Sequence, residues 1–351
     1  MNLLRPMLLL LGTALCGQPD PFALPVEAQS WARRAVLQHQ GTKQKLQGIL
    51  DAVFSAPAPA GLGLGMVYDN SRTRSVEEVW TERRANCLSL TAFFVAACRA
   101  AGIEAKYAEP TNTNRWHRVG NLVRLERHVV ALVPSPPLDD VVADFLPQLR
   151  RRVGVYVVTI HSEARFKALF HSNRAVEMLD AGRQEEALAQ ANLSVAADAS
   201  CAVGWNVRGV VHQAMDRDTE AEACFRKAMA LDPKDGTPVG NLEQFMRGRG
   251  RQDEAQALRT LGAELRKKDP FFHSFLCEEA MEAGDWDEAQ RAIKVALKLQ
   301  PFEPEFHLAQ ARIHLQRGKD EAAVKSLKEA RRWSIPKERD RFDAKLAALV
   351  K

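Results

Sequence analysis

Apolar and polar positions alternate with two different periods along this chain, and the change of period divides it. From Gln29 to Phe54 the pattern is helical, with Trp31, Ala35, Leu46, Ile49, Leu50 and Val53 on the apolar side. Ala56 to Gly65 then interleaves proline and glycine and breaks regular structure. Leu88, Thr91, Ala92, Val95 and Cys98 form one helical face that Gly102 ends. After it come short apolar runs of strand character, His128-Val129-Val130-Ala131-Leu132-Val133 and Asp140-Val141-Val142-Ala143-Asp144-Phe145. Past residue 165 the period is helical again and repeats itself. Ala187, Ala221, Ala255, Ala289 and Ala323 recur every 34 residues, as do Gly182, Asp216, Gly250, Gly284 and Gly318. Self-similarity at that interval is the mark of a two-helix repeat.

One repeat shows its anatomy in Trp205, Gly209, Ala221, Phe225, Ala228 and Pro233. Small residues let its two helices approach, large ones fill the gaps, and proline ends the second helix. These residues resemble the tetratricopeptide repeat. Five units fit, beginning near 168, 202, 236, 270 and 304. The first lacks the closing proline, and the third carries Arg259 where an apolar residue is expected. Residues 337–351 form a charged amphipathic segment suited to capping the stack. A stack of this kind binds extended segments or helices of protein partners, or it braces the domain before it. Its groove positions, such as Asn206, Gln213, Gln244 and Glu278, are mixed and name no ligand.

Composition narrows the classes. With 351 residues there is room for two cores, and 46% hydrophobic against 26% charged residues is ordinary for a globular protein. The net charge of +5 is spread without a single-sign block, which speaks against nucleic acid. Six cysteines without a CxxC pair argue against a zinc site or a disulfide scaffold. Cys87 and Cys98 fall on one predicted helix about 16 Å apart, too far to bridge. A metal site at Cys87, His117 and His128 has irregular spacing and lacks a fourth ligand. No cofactor is called for.

The first 17 residues read as an export signal: Arg5, then the apolar run Met7–Leu15, then Cys16-Gly17-Gln18. Cys16 raises a lipid anchor as the alternative to a cleaved leader, although Leu15 stands where that processing site normally has a small residue. The expected location is outside the cytoplasm, periplasmic or membrane-anchored as a lipoprotein of a bacterium.

The chemistry falls between leader and repeats. Ser75 and Glu78 form a capping box for a short helix to Trp80. Cys87 enters a helix in its first turn, where unpaired amides and the positive end of the macrodipole favour an ionised sulfur. Pro134-Ser135-Pro136-Pro137-Leu138 reads as a turn between two strands. A hairpin centred on Pro136 sets Val133 opposite Asp139 and His128 opposite Asp144, with Cβ atoms about 5 Å apart. A carboxylate there can hold an imidazole nitrogen and stabilise its charged form.

Asn86-Cys87-Leu88-Ser89-Leu90-Thr91, Arg127-His128-Val129 and Asp144-Phe145 together resemble the transglutaminase-like superfamily, in the bacterial branch that carries tetratricopeptide repeats behind the core. The resemblance covers about residues 60 to 350. It implies an α+β papain-like, transglutaminase-like core followed by an all-α tetratricopeptide-repeat solenoid. It also implies Cys87 as nucleophile, His128 as base and Asp144 as orienting acid. Ala85 departs from the family's glycine before Asn-Cys, where a left-handed turn would strain alanine. Trp116, expected on a loop before the histidine strand, and Asn86 are candidates for the substrate channel. His161 and His171 are expected to make local hydrogen bonds.

The organisation expected is a leader at 1–17, a transglutaminase-like domain at 26–160, five repeats at 165–336 and a capping helix at 337–351. The function expected is acyl transfer from an amide through a thioester, as peptidase, amidase or transferase, with protein or peptide partners on the repeats. The alternative is an exported scaffold with a vestigial triad.

Overall fold

The computed structural model describes residues 19–59, 61–110, 115–119, 122–126, 128–135, 140–145, 158–334 and 336–349. The expected leader with Cys16, and the turn residues Pro136 to Asp139, lie outside them. In chain order the elements begin with α1 (Val26–Val36), α2 (Gly41–Phe54), β1 (Val67–Tyr68), α3 (Val76–Glu82), β2 (Arg84–Ala85) and α4 (Cys87–Ala100). Strands follow: β3 (Lys106–Pro110), β4 (Arg115–Val119), β5 (Leu122–Glu126), β6 (Val130–Val133), β7 (Val141–Ala143) and β8 (Val158–His161). Helices then run as α5 (Glu163–Asp180), α6 (Gln184–Ala197), α7 (Ala202–Ala214), α8 (Asp218–Leu231), α9 (Gly236–Gly248) and α10 (Gln252–Arg266). The last are α11 (Pro270–Glu282), α12 (Trp286–Leu299), α13 (Pro304–Gln316), α14 (Asp320–Trp333) and α15 (Pro336–Leu349). The chain folds as two compact units, and the C-terminal half is a helical solenoid.

The first unit holds α1 to α4, the four-stranded antiparallel sheet in the order β7-β6-β3-β8, and α5 to α8. Helix α4 is apolar nearly all round, and ten of its residues are buried, as a helix at the centre of a core must be. Leu90, Phe93 and Phe94 of α4 share one cluster with Val129, Ala131, Val133, Tyr107 and Phe145. The opposite face of the sheet carries a smaller cluster of Ala108, Val130 and Leu132. Trp80 and Trp31 pack on Phe93, with the Trp80 and Phe93 rings stacked at 6.4 Å. The helical run before the site is two helices, because the chain leaves α1 at Leu37 and re-enters a helix at Gly41 in a left-handed conformation.

Helix α5 pairs with α6 ahead of residue 202 and belongs to this core. It starts at Glu163, five residues before the expected position, and Ser162 caps it by accepting from the Arg165 amide. That early start brings in Phe166, which is fully buried and stacks on Tyr107 at 4.2 Å. Pairs α5–α6 and α7–α8 follow the small-against-large scheme. A Cβ on Gly209 of α7 would meet the Phe225 ring of α8 at 2.7 Å. Alanine normally favours a helix over glycine by about 1 kcal/mol. Here the rigid buried ring opposes it, and overpacking costs about 1–3 kcal/mol. Gly209→Ala is therefore expected to destabilise this repeat, read as faster hydrogen exchange of the α7 and α8 amides. Unchanged or slower exchange would show that the ring yields.

The second unit contains the β4–β5 hairpin and helices α9 to α15. Pairs α9–α10, α11–α12 and α13–α14 begin at residues 236, 270 and 304. Arg259, unexpected by its charge, points outward and bonds Glu243 at 3.1 Å, so the third pair loses an apolar contact without burying a charge. Phe342 of α15 is fully buried against Ala311, Leu327 and Ala330, which covers the end of the α13–α14 pair. No helix among the described residues is long and apolar enough to cross a membrane.

Candidate active site

Cys87 is the first residue of α4, and the segment before it explains its position. Ser75 and Glu78 make the reciprocal capping box of α3, which ends at Arg83 in a left-handed conformation (φ 57°). Arg83 lies over the Trp80 ring at 3.9 Å. The left-handed residue is thus Arg83 rather than position 85. Ala85 is extended, pairs with Tyr68 in the parallel β1–β2 ladder and is fully buried. Alanine there carries no backbone strain, and its small size suits a closed site. Asn86 then caps α4: its Oδ1 accepts the Ser89 amide at 2.9 Å. Its Nδ2 donates to Thr73 Oγ1 at 2.9 Å, and the Arg74 amide donates to Ser89 Oγ at 2.7 Å. Asn86 is 5% exposed, and both ends of its amide are engaged inside the protein.

His128 lies two residues before β6, and Asp144 one residue after β7. Strand β7 pairs with β6 as Ala131↔Ala143, Leu132↔Val142 and Val133↔Val141. That register is two residues from the expected one: Asp144 continues opposite Val130, and His128 is its diagonal neighbour. Pro134 has no N–H to extend the ladder, so β6 stops at Val133 and β7 begins only at Val141. A shift of two preserves side-chain parity, and a diagonal pair stays within reach of a long side chain. His128 Nε2 accordingly donates to Asp144 Oδ1 at 2.8 Å, with the two side chains only 6% and 4% exposed.

The acid is fixed by its neighbour. Phe145 is 1% exposed, meets Phe94 of α4 edge-on at 5.1 Å and packs on Phe54 of α2. The end of β7 is thereby anchored to the helix that starts with the cysteine.

Burial pushes the His128 ring toward neutrality, but its hydrogen bonds to Asp144 and Cys87, and the charge of each, outweigh it. The net result is a pKa raised to about 9. The ring thus has two neighbours: Asp144 holds Nε2, and the Cys87 sulfur is close enough to help raise the ring's pKa. Cys87 is half-buried, whereas Cys98, Cys201, Cys224 and Cys277 are buried. Burial raises the Cys98 thiol to about 12, and burial together with the Glu278 charge raises Cys277 to about 12, which leaves both inert near neutrality.

Of the first-turn amides of α4, the cap takes that of Ser89. Among the described residues no acceptor takes those of Cys87 or Leu88. Trp116 lies on strand β4 of the second unit, not on a loop, and His117 beside it pairs with Arg124 on β5. His161 bonds Glu109 at 3.0 Å, and His171 Nδ1 bonds Gln190 at 2.9 Å. Among the described residues no group of three His, Cys, Asp or Glu is arranged to hold a metal ion. Sequence reasoning missed Thr73, Arg74 and Ser89, whose bonds brace the cysteine turn. The polar run Ser71–Ser75 offered no periodic signal for the first two.

Comparison with known proteins adds family matches over these two regions. A transglutaminase-like superfamily model matches residues 30–137. Tetratricopeptide repeat models match residues 202–235 and 278–334. No curated protein matches the chain. Among solved structures, the chain is similar to MamA MSR-1 C2, at 22% identity over 47% of this chain and 95% of that one, with a TM-score of 0.26. It is also similar to TTC0263, a thermophilic tetratricopeptide protein of Thermus thermophilus, at 17% identity over 52% of this chain and 98% of that one, with a TM-score of 0.30. A third is PilW, a type IV pilus biogenesis factor, at 19% identity over 52% and 86% of the two chains, again with a TM-score of 0.30. Tetratricopeptide repeats generally mediate protein or peptide binding. One chain therefore joins a transglutaminase-like core, within residues 30–137, to tetratricopeptide repeats within residues 202–334.

Proposed function

We propose that this is an exported cysteine acyltransferase or amidase that acts on amide bonds of proteins or peptides recruited by its repeats. The single observation that carries the reading is the buried His128 ring, held by Asp144 at 2.8 Å, with a half-buried Cys87 at a helix start beside it. A neutral aspartate–histidine pair in a scaffold has no need of a sulfur beside it.

In the reaction, the Cys87 sulfur attacks the amide carbonyl carbon and a C–S bond forms. The oxyanion accepts hydrogen bonds from the Cys87 and Leu88 amides. His128 gives its proton to the departing nitrogen as the C–N bond breaks. Water or an amine then attacks the thioester while His128 takes a proton, and the C–S bond breaks to restore the thiolate. Water makes the enzyme a hydrolase; an amine makes it a transferase. Asp144 orients the ring and stabilises its charged form. Asn86 acts from behind, through the helix cap.

The test uses an acyl donor that needs no recognition. Incubated with 4-nitrophenyl acetate, the full chain is expected to gain one acetyl group on Cys87, seen by peptide mass spectrometry. Cys87→Ala is expected to gain none there. Adding a primary amine then separates the two fates: faster discharge with formation of the amide marks a transferase, while discharge by water alone marks a hydrolase. Absence of acetyl on Cys87 refutes the reading and leaves the repeat-bearing scaffold.

A further inference from the structure

The first repeat helix reaches into the turn that presents the nucleophile. Glu177 and Arg174 sit one turn apart near the end of α5, and both bind Thr73. Glu177 Oε1 accepts the Thr73 amide at 2.6 Å, and Arg174 Nη1 donates to the Thr73 carbonyl at 3.0 Å. The donor and acceptor of one residue are thus gripped by a single helix. Thr73 is fully buried, and its Oγ1 receives Asn86 Nδ2 at 2.9 Å. Asn86 in turn caps α4 immediately before Cys87. Three contacts therefore lead from the repeat helix to the cysteine: α5 to Thr73, Thr73 to Asn86, and Asn86 to the first turn of α4.

The surroundings make this path stiff. Arg174 also lies 3.7 Å from Glu78, the carboxylate that completes the α3 capping box. Arg74, the next residue after Thr73, is 4% exposed, and its guanidinium bonds Glu82 at 2.7 Å and Asp69 at 2.8 Å. Phe166 and Phe170 of α5 belong to the same apolar cluster as Phe93 and Phe94 of α4. Burial pushes the Glu177 carboxyl up, against the hydrogen bond from Thr73.

We propose that Glu177 and Arg174 of the first repeat helix are positioning residues for Cys87, which makes this helix a working part of the acyl-transfer centre rather than an appendage behind it. The proposal rests on the acyl-transfer reading above. Its consequence is structural: cutting the chain before α5 removes the grip on Thr73 along with the repeats. Loss of activity on truncation would then say nothing about substrate recruitment.

The test uses point variants in the full chain. The rate of Cys87 alkylation by iodoacetamide, read by peptide mass spectrometry, is measured at pH 6 and pH 9.5, beside thermal unfolding. At pH 9.5 an ordinary thiol is already ionised, so only the pH 6 rate depends on placement against His128. Glu177→Ala is expected to slow the pH 6 rate about tenfold and leave the pH 9.5 rate within about twofold. Glu177→Gln keeps an oxygen to accept the Thr73 amide and is expected to stay within about twofold of wild type at both.

A wild-type ratio of the two rates in Glu177→Ala, even with a lowered melting temperature, overturns the positioning role. So does a Glu177→Gln ratio equal to that of Glu177→Ala. Should Glu177→Ala fail to fold, Thr73→Val, which has the same shape but no hydroxyl for Asn86, carries the same expectation and the same refutation. A wild-type ratio equal to that of His128→Ala would sink the acyl-transfer reading itself, and this proposal with it.

Discussion

Replacing His128 by alanine is expected to slow acetyl capture by Cys87 about a hundredfold near neutral pH, the lower end of what a positioned acid–base group supplies. In the folded protein the ring is the partner of the Cys87 sulfur, and it remains a cation up to about pH 9. A free thiol with a pKa near 8.5 is only ~0.3% ionised at pH 6. In general a cation beside a thiol favours its ionised form, and a less basic sulfur is a weaker nucleophile. Simple alkylation is therefore expected to fall only about tenfold at pH 6 in His128→Ala. Capture from an ester adds the proton movements of acyl transfer and falls further. Equal loss in both assays would mean that the ring only ionises the sulfur. No loss in either would remove it from the chemistry. The four cysteines buried in both proteins provide the internal control, since they should stay unlabelled throughout.

Much of the fold was legible because local chemistry and packing agree. The 34-residue spacing of alanine and glycine goes with helix starts at 202, 236, 270 and 304, and each of the repeating alanines is buried. Asp216 stands at the glycine position with φ 55°, a conformation glycine adopts without strain. The first repeat was less legible. Its helix begins five residues early to place Phe166 on Tyr107, a contact that depends on the sheet and leaves no periodic trace. Likewise Ala85 looked strained only because the left-handed turn was expected beside it. The capping box of α3 moves that turn to Arg83.

The candidate site was legible in its residues and less so in its geometry. Two residues of register separated the expected hairpin from the observed one, yet His128 and Asp144 still meet. Parity is a property of the strand pattern, whereas register depends on how far a ladder can run before a proline stops it. What could not be read at all is the support behind Cys87. Thr73 contacts Asn86, Glu177 and Arg174 across 13 to 104 positions of sequence. No pattern in Ser71–Ser75 announces a residue whose amide, carbonyl and hydroxyl are all used.

Asp144→Ala is the second change of large effect, and its sign follows from the ring it holds. Burial alone pushes His128 below its usual 6.5, and its hydrogen bond to Asp144 is the largest influence that raises it to about 9. Acyl capture in the wild type is expected to fall as pH rises through about 9, where the ring loses its proton. Without Asp144 that alkaline limb is expected near 6.5 or lower, so the variant nearly matches wild type at the acid end and is slowest, relative to it, at pH 8. Stability moves with it. A group whose pKa rises on folding stabilises the fold fully below its unfolded value, here about 6.5, and that contribution fades as pH climbs through the folded value. The wild type should therefore lose on the order of 3 kcal/mol between pH 6.5 and 9.5 from this residue. Asp144→Ala should lose much less over the same range. Chemical denaturation at the two pH values measures the difference. An alkaline limb that stays at about 9 in the variant would mean that the Cys87 sulfur alone keeps the ring charged, and that Asp144 only orients it.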